Sequence, residues 1–446
     1  MRHRAELPRK LGLADCIAIV VGTIIGSAIF IVPGAIARSL PSAPLMLAVW
    51  LTAGLLSLFG ALAFAELGAM LPDTGGQYVY LRESFGPLWA FLCGWSFFLI
   101  IRSGGIATVA VGFSIYLAAL FPIPPALVPY TAPALILLLT WVNYRGVEGG
   151  ALVQKIFTLL KVIGLAVLIA GAFLHPQTQP VSWSVSAAEF SWARFGVAMI
   201  AGLWAYNGWM AIGFVAGEVK NPGRNVPLSL GIGMAVVLAV YLLTNLGYLR
   251  ILPISEIAAT DKVAAVLASR TMGAMGVMLV SATIVLSTIG TDNGNILTAS
   301  RIYFAQARDG LFFRSIGKVH PRFQTPYVSI LVQGAWAALL SLSGSYQKLF
   351  SFAMFAAWIF YGLCVVAVIV LRRKAPALPR PYWMWGYPVT PVLFALMTVW
   401  FIVNTLVEEP VPSLCGLLLI ASGIPVYVIW SKRTAPVQEA FAPIVD

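Results

Sequence analysis

Apolar runs of about 18 residues or more recur from one end of this 446-residue chain to the other, each long enough to cross a bilayer as a helix. In hydrocarbon, every backbone N–H and C=O must be satisfied within the segment, so a run that spans is helical. A closed barrel would read as short segments of alternating polarity, and nothing here alternates. Composition agrees: 60% of the residues are hydrophobic and 10% charged, whereas a soluble domain carries roughly 25% charged residues. The fold class expected is an all-α membrane protein embedded in a lipid bilayer. Twelve spans are read at residues 12–38, 44–71, 87–121, 126–144, 150–174, 191–217, 228–252, 271–304, 327–343, 347–371, 387–407 and 412–430. Loops between them hold helix breakers such as Pro72-Asp73-Thr74-Gly75-Gly76 and Asn221-Pro222-Gly223.

The formal net charge of +12 is spread through short loops rather than gathered on a stripe or tail, so no nucleic-acid partner is expected. With the N-terminus inside, 20 Lys and Arg residues fall on the inner side and 6 on the outer. That asymmetry places both termini in the cytoplasm of a cell (inner) membrane, with Thr178–Trp183 outside. The polar start, Met1–Lys10, leads into a helix with no small-residue cleavage site, so no cleaved signal peptide is expected. Cys16, Cys93, Cys364 and Cys415 lie in apolar segments without metal-like spacing. His3, His175 and His320 lie in the tail and loops. No metal or cofactor is expected.

Two apolar segments are interrupted in their middles. The first holds Gly22-Thr23-Ile24-Ile25-Gly26-Ser27-Ala28, the second Ala205-Tyr206-Asn207-Gly208-Trp209. Helix-interior Gly costs about 1 kcal/mol relative to Ala, so paired glycines favour unwinding, and unwound backbone at membrane depth has to line a cavity. A single such segment would read as close helix packing. Two, at the first position of each five-helix half (12–174 and 191–371), point to a transport site between the halves. Residues 387–430 add two further helices, and 1–11 and 431–446 are cytoplasmic tails.

With these motifs in view, the chain resembles the amino acid–polyamine–organocation superfamily, and within it the L-type amino-acid transporter branch and its bacterial alanine/serine/cysteine exchangers. The likeness rests on Val21-Gly22-Thr23-Ile24-Ile25-Gly26-Ser27-Ala28-Ile29-Phe30; on Ala65-Glu66-Leu67-Gly68 with Pro72, Gly75-Gly76, Tyr78 and Tyr80; and on Val153-Gln154-Lys155-Ile156-Phe157-Thr158 with Lys161. It continues in Trp204-Ala205-Tyr206-Asn207-Gly208-Trp209, Glu218-Val219-Lys220-Asn221-Pro222 with Arg224-Asn225-Val226-Pro227, Ser300-Arg301 with Ala307-Arg308-Asp309-Gly310, and His320-Pro321-Arg322-Phe323. The resemblance implies a five-plus-five inverted repeat with broken helices 1 and 6, two appended helices, and sodium-independent amino-acid transport by alternating access. Departures are Ala28 where the family usually has Gly, Trp204 at a gate position often held by Phe, and Asn207 where Gly or Asp is common. Eukaryotic members join a partner glycoprotein through a cysteine in the loop after span 3. Residues Phe121 to Pro125 contain none, so no disulfide-linked partner subunit is expected.

An amino-acid zwitterion needs donors for its carboxylate and acceptors for its ammonium, and a broken helix supplies both. Free N–H groups at the start of the outer half of span 1, around Gly26, Ser27 and Ala28, suit a carboxylate. Carbonyls near Thr23 and Ile24, with those of Trp204 and Asn207 in span 6, suit an ammonium, and Ala205 belongs to the same break. Neither break contains a charged side chain, which favours a neutral amino acid. By resemblance, Ser27 and Ala28 hold the carboxylate, Ile24, Trp204 and Asn207 the ammonium, and Trp204 caps the site. The bulk of Trp204 and the methyl of Ala28 suggest small side chains.

Lys161 lies mid-span, where a cation is a functional candidate by default; the bland alternative is a lysine snorkelling to the interface. Related sodium-coupled transporters hold an ion between spans 1 and 8, so Lys161 is expected to bond a carbonyl near Gly22 and a hydroxyl of Ser287 or Thr288. Arg102 is the second mid-span cation, set either to pair with Asp292 or to line the inner vestibule. Asp15 and Glu66 sit near the cytoplasmic ends of their spans, where solvated or paired structural roles are expected rather than transport roles. A membrane enzyme would need a nucleophile, acid–base pair or metal cluster in the spans, and a channel would not need two matched breaks. The reading is an exchanger of small neutral amino acids. Its runner-up is proton-coupled symport, in which a buried lysine cycles its charge.

Overall fold

A computed structural model of the chain describes residues 7–177, 181–184, 190–343, 346–408 and 410–433. Thr178 and the terminal residues 1–6 and 434–446, which belong to the expected tails, lie outside the described residues. The first apolar run forms two helices, α1 (Leu13–Ile24) and α2 (Ala28–Ser39). There follow α3 (Ala43–Met70), α4 (Gln77–Phe85), α5 (Pro87–Ser96), α6 (Arg102–Leu120), α7 (Val128–Tyr144) and α8 (Val147–Leu174). The second half begins with α9 (Trp192–Ala205) and α10 (Ala211–Phe214), then α11 (Pro222–Ile251), α12 (Ile254–Ala258), α13 (Val263–Arg308), α14 (Tyr327–Ser341) and α15 (Tyr346–Lys374). Two helices close the chain, α16 (Val389–Glu408) and α17 (Pro410–Arg433).

Nine segments among the described residues are long and apolar enough to cross a membrane. Two shorter apolar helices, Trp192–Ala205 and Tyr327–Ser341, stand at the expected sixth and ninth spans, and the 17-residue α7 stands at the fourth. The protein is therefore an all-helical, multi-pass membrane protein.

The sixth span breaks where expected: α9 stops at Ala205, the chain turns, and it resumes as α10 and a 3₁₀ turn at Ala216–Glu218. Three elements differ from the sequence reading. The eighth segment, Val263–Arg308, is two helices that meet at a kink at Gly273 (φ 63°), so a helical stretch beginning at Val263 precedes the expected span. Span 3 contains a π-helical turn, Phe97–Ile101, between α5 and α6, a device often found at functional sites. The loop holding Gly75-Gly76 leads into the short helix α4, which the apolar pattern did not reveal.

Charged residues hold the ends together. Lys10 pairs with Glu148 and Lys155 with Asp15, tying the start of α1 to α8. Asp15 also accepts the Gly12 N–H at 2.9 Å. Glu66, at the foot of α3, accepts two bonds from Arg372 of α15 at 2.9 and 2.6 Å and one from the Met384 N–H at 2.6 Å. Both acids thus have the paired structural roles expected of them. At the opposite end, Arg38 pairs with Asp261 and Arg270 with Glu256.

Candidate functional site

The two breaks meet. Gly208, just past the end of α9, has φ 136°, and a Cβ there would stand 2.8–2.9 Å from the Thr23 carbonyl group and the Ile24 nitrogen. Only glycine permits both that backbone conformation and that approach. The Thr23 hydroxyl lies 2.6 Å from the Ile19 carbonyl, and 3.1 Å from the Gly208 carbonyl across the junction. Tyr241 of α11 supplies the other tie, its buried hydroxyl 3.1 Å from the carbonyls of both Ile24 and Ala205. Sequence reasoning missed Tyr241, since a tyrosine in an apolar span carries no positional signal.

The unwinding is narrower than the paired glycines implied. Gly22 stays helical, because α1 runs to Ile24 and a Cβ at Gly22 would collide with Gln154 and Thr158 of α8. Close packing, the alternative reading of such glycines, holds at Gly22, while the break itself is Ile25-Gly26-Ser27. Ser27 is the N-cap of α2; the Phe30 N–H turns back to the Ser27 carbonyl at 3.1 Å, and the N–H groups of Ala28 and Ile29 lack intrahelical acceptors. The Ile24 carbonyl already accepts from Tyr241, and that of Trp204 accepts the Asn207 N–H at 3.0 Å. Each carbonyl keeps a second lone pair for a ligand.

A cavity of about 100 Å³ lies at this junction. Thr23, Ile24, Gly26, Ser27, Ala28, Trp204 and Asn207 all line it. Ala205 does not: it is buried behind the wall and contributes its carbonyl to Tyr241. The remaining lining includes Ile101, Arg102 and Thr108 from span 3, Thr291 and Asn295 of α13, and Met354 and Tyr361 of α15. Asn207 donates to the Tyr361 hydroxyl at 3.3 Å, tying the second break to α15. Apart from Arg102, the span 3 and α15 walls escaped sequence reasoning because their residues carry no motif and converge only through packing.

Lys161 is fully buried and does not snorkel. Its ammonium, with three N–H donors, stands within hydrogen-bond distance of four oxygens: the carbonyls of Gly22 at 2.9 Å, Ile25 at 2.7 Å and Ser287 at 2.9 Å, and the Thr291 hydroxyl at 3.2 Å. The carbonyl expected near Gly22 is present, whereas the expected hydroxyl of Ser287 or Thr288 is not its partner. Thr291 provides that hydroxyl, Ser287 gives its carbonyl, and the Ser287 hydroxyl bonds Ile25 instead at 3.0 Å. Thr288 points its hydroxyl at Val285 within its own helix. Helical spacing explains the difference: 287 and 291 are four apart and share the face toward α1, while 288 is turned about 100° away.

Arg102 does not pair with Asp292. It donates to the Asn295 side chain at 3.2 Å, and its guanidinium lies over the rings of Phe97 and Phe214 at 5.6 and 5.2 Å. Asp292 is fully buried, and neither carboxyl oxygen has a hydrogen-bond partner among the described residues. Among those residues, no group of three or more His, Cys, Asp and Glu side chains is placed to hold a metal ion.

A helical bundle with a small cavity at two facing helix breaks, backed by a lysine among carbonyl oxygens, has the form of a solute carrier. The amino acid permease family model matches residues 11–430. The chain belongs to that family. This permease is 34% identical over 434 residues to the human b(0,+)-type amino acid transporter 1, covering 95% of its own length and 88% of that protein. It is 33% identical over 432 residues to a serine/threonine exchanger of Bacillus subtilis (strain 168), covering 96% and 98%. It is 31% identical over 443 residues to the human cystine/glutamate transporter, covering 97% and 88%. The resemblance to the L-type branch of the amino acid–polyamine–organocation superfamily is thereby borne out, and the permease is a transporter rather than an enzyme.

Proposed function

We propose that this permease is a sodium-independent exchanger of small neutral L-amino acids, working by alternating access in a cell (inner) membrane with both termini cytoplasmic. The observation that carries the reading is that both helix breaks line one cavity of about 100 Å³. In it, the N-terminal end of α2 meets a substrate carboxylate and the carbonyls at the end of α1 and α9 meet the ammonium. The small volume, the Ala28 methyl and the Trp204 ring favour short side chains. Sodium independence is supported by Lys161, whose ammonium already stands among the oxygens of α1 and α13, where a metal cation would need to bind. The five-helix halves 12–174 and 191–371 act as inverted repeats in this reading, and α16 and α17 are appended. The loop Phe121 to Pro125 offers no cysteine for a disulfide-linked partner.

The test is exchange in proteoliposomes: labelled alanine taken up against internal alanine, with and without sodium, challenged by the twenty amino acids. Uptake that requires internal amino acid and ignores sodium supports the proposal. Uptake without internal substrate, driven by an inward proton gradient, supports proton-coupled symport, which the burial of Lys161 also favours. Leucine competing better than alanine would refute the small-pocket part.

A further inference from the structure

A second cavity, of about 430 Å³, lies at the end of the bundle that the proposed orientation places in the cytoplasm. Its walls come from residues 7–9 ahead of α1, the loop 72–74 after α3, part of α4, Gly217 in the second broken span, and the last turn of α13. These are the pieces that close this end of the molecule. The N–H groups of Lys10 and Leu11 donate to the Glu218 carbonyl at 2.9 Å, and the Glu218 carboxylate is paired with Arg301, one turn before the cavity wall. Neighbouring charges are matched: Lys10 with Glu148 and, on the wall itself, Arg82 with Asp309 at 2.6 Å. Arg9 and Asp73 are not. Both line the cavity, both are exposed, and neither makes an ion pair among the described residues.

We infer that this cavity binds a second molecule of amino acid and holds the cytoplasmic side closed, so that a high internal concentration inhibits exchange. The inference rests on the proposed function and adds a regulatory site apart from the transport site. A cation and an anion left unpaired on one cavity of this size suit a small zwitterion, its carboxylate toward Arg9 and its ammonium toward Asp73. Opening this end for release has to part the segment before α1 and the turn at 217–218 from α13, and that takes the walls of the cavity apart. A ligand seated there therefore binds the closed state better than the open one, which is the condition for shifting the balance between them. Exposed ion pairs are weak, so this site fills at higher concentrations than the buried one. Transport saturates first and inhibition follows.

The experiment is uptake of labelled alanine into proteoliposomes of uniform orientation while alanine on the cytoplasmic face is raised stepwise. The rate is expected to rise to a maximum and then fall, by about tenfold at ten times the dissociation constant of the second site. Raising alanine on the opposite face should give simple saturation. Arg9→Gln and Asp73→Asn should leave exchange at low concentration unchanged and move the descending phase to at least about tenfold higher concentration, whereas Arg9→Lys and Asp73→Glu should keep it. Alaninamide, which lacks the carboxylate, should not inhibit when added on the cytoplasmic face to a fixed concentration of alanine. A dependence that saturates without falling on both faces overturns the inference, as does a descending phase unchanged by both neutral variants or reproduced by alaninamide. If the variants insert poorly, the wild-type comparison of the two faces and of alaninamide still decides. Exchange without the descending phase sinks this inference alone; no exchange of any amino acid sinks the proposed function with it.

Discussion

Two fully buried cations organise this permease, and they are held in opposite ways. Arg301, near the end of α13, makes a two-point ion pair with Glu218 at 2.7 and 3.0 Å, both side chains wholly shielded from solvent. It also donates to the Leu297 carbonyl at 2.5 Å. Lys161 is bonded only to uncharged oxygens, from α1 on one side and α13 on the other. An ion pair of that kind leaves an uncompensated charge when opened, while carbonyls released from an ammonium keep other uses in a cavity. The first arrangement suits a fixed joint and the second a contact that breaks and re-forms during transport. The Glu218 joint is continuous with the start of the chain, because the Glu218 carbonyl accepts the N–H groups of Lys10 and Leu11 at 2.9 Å, and Lys220 donates to Leu11. The Leu11 end of the first broken span and the Glu218 end of the second are thus tied to each other and to α13.

The contrast is broken most directly at the joint. Arg301→Ala leaves Glu218 buried and unpaired, and should cost about 3–5 kcal/mol. The expected outcome is loss of monodisperse protein on detergent size exclusion. A wild-type elution profile and melting temperature would show that the pair is not a structural joint.

Lys161→Ala should fold but transport poorly. It removes the donor shared by Gly22, Ile25 and Ser287, and charge-assisted bonds of about 1.5–3 kcal/mol correspond to a roughly 10- to 150-fold shift between conformations. Exchange measured at matched protein density should be slow or asymmetric between the two faces. A wild-type rate would remove Lys161 from the conformational cycle.

Tyr241→Phe tests whether the two breaks act together, because the single hydroxyl spans Ile24 and Ala205. Losing this one shared neutral hydrogen bond, about 0.5–1.5 kcal/mol, should weaken substrate competition by several-fold with little change in thermal stability. Unchanged competition would mean that the α1 and α9 ends hold their positions without it.

The smallest effects separate neighbours on α13. Ser287→Ala removes a bond to Ile25 and should slow exchange by about tenfold at most, whereas Thr288→Val should be near neutral because its hydroxyl serves only its own helix. Equal loss at both positions would contradict the assignment of helix faces.

Much of this was legible before the structure, and for definite reasons. Hydrocarbon forces apolar runs into helices, so most of the bundle follows from composition alone. The breaks at Gly26 and Asn207-Gly208 show themselves as glycine and polar residues where apolar ones belong, and seven of the eight residues assigned to substrate line one cavity. Lys161 announced itself by the cost of a mid-membrane charge. What stayed hidden depends on rotation and register. The chain order gives no means of knowing that Gly22 packs against Gln154 and Thr158, that Thr291 rather than Thr288 faces α1, or that the π-turn precedes Arg102 on its way to Asn295.

The sequence by itself determined that this chain lives in a bilayer as helices, where those helices fail, and which family it belongs to, because each depends on residue type at a local position. Only the tertiary structure decided which atoms meet at the breaks. Hydrogen bonds across elements, such as Tyr241 to Ile24 and Lys161 to Ile25, depend on distances of tenths of an ångström and on helix faces about 100° apart. Those are set by packing between segments more than a hundred residues apart, which no local pattern records.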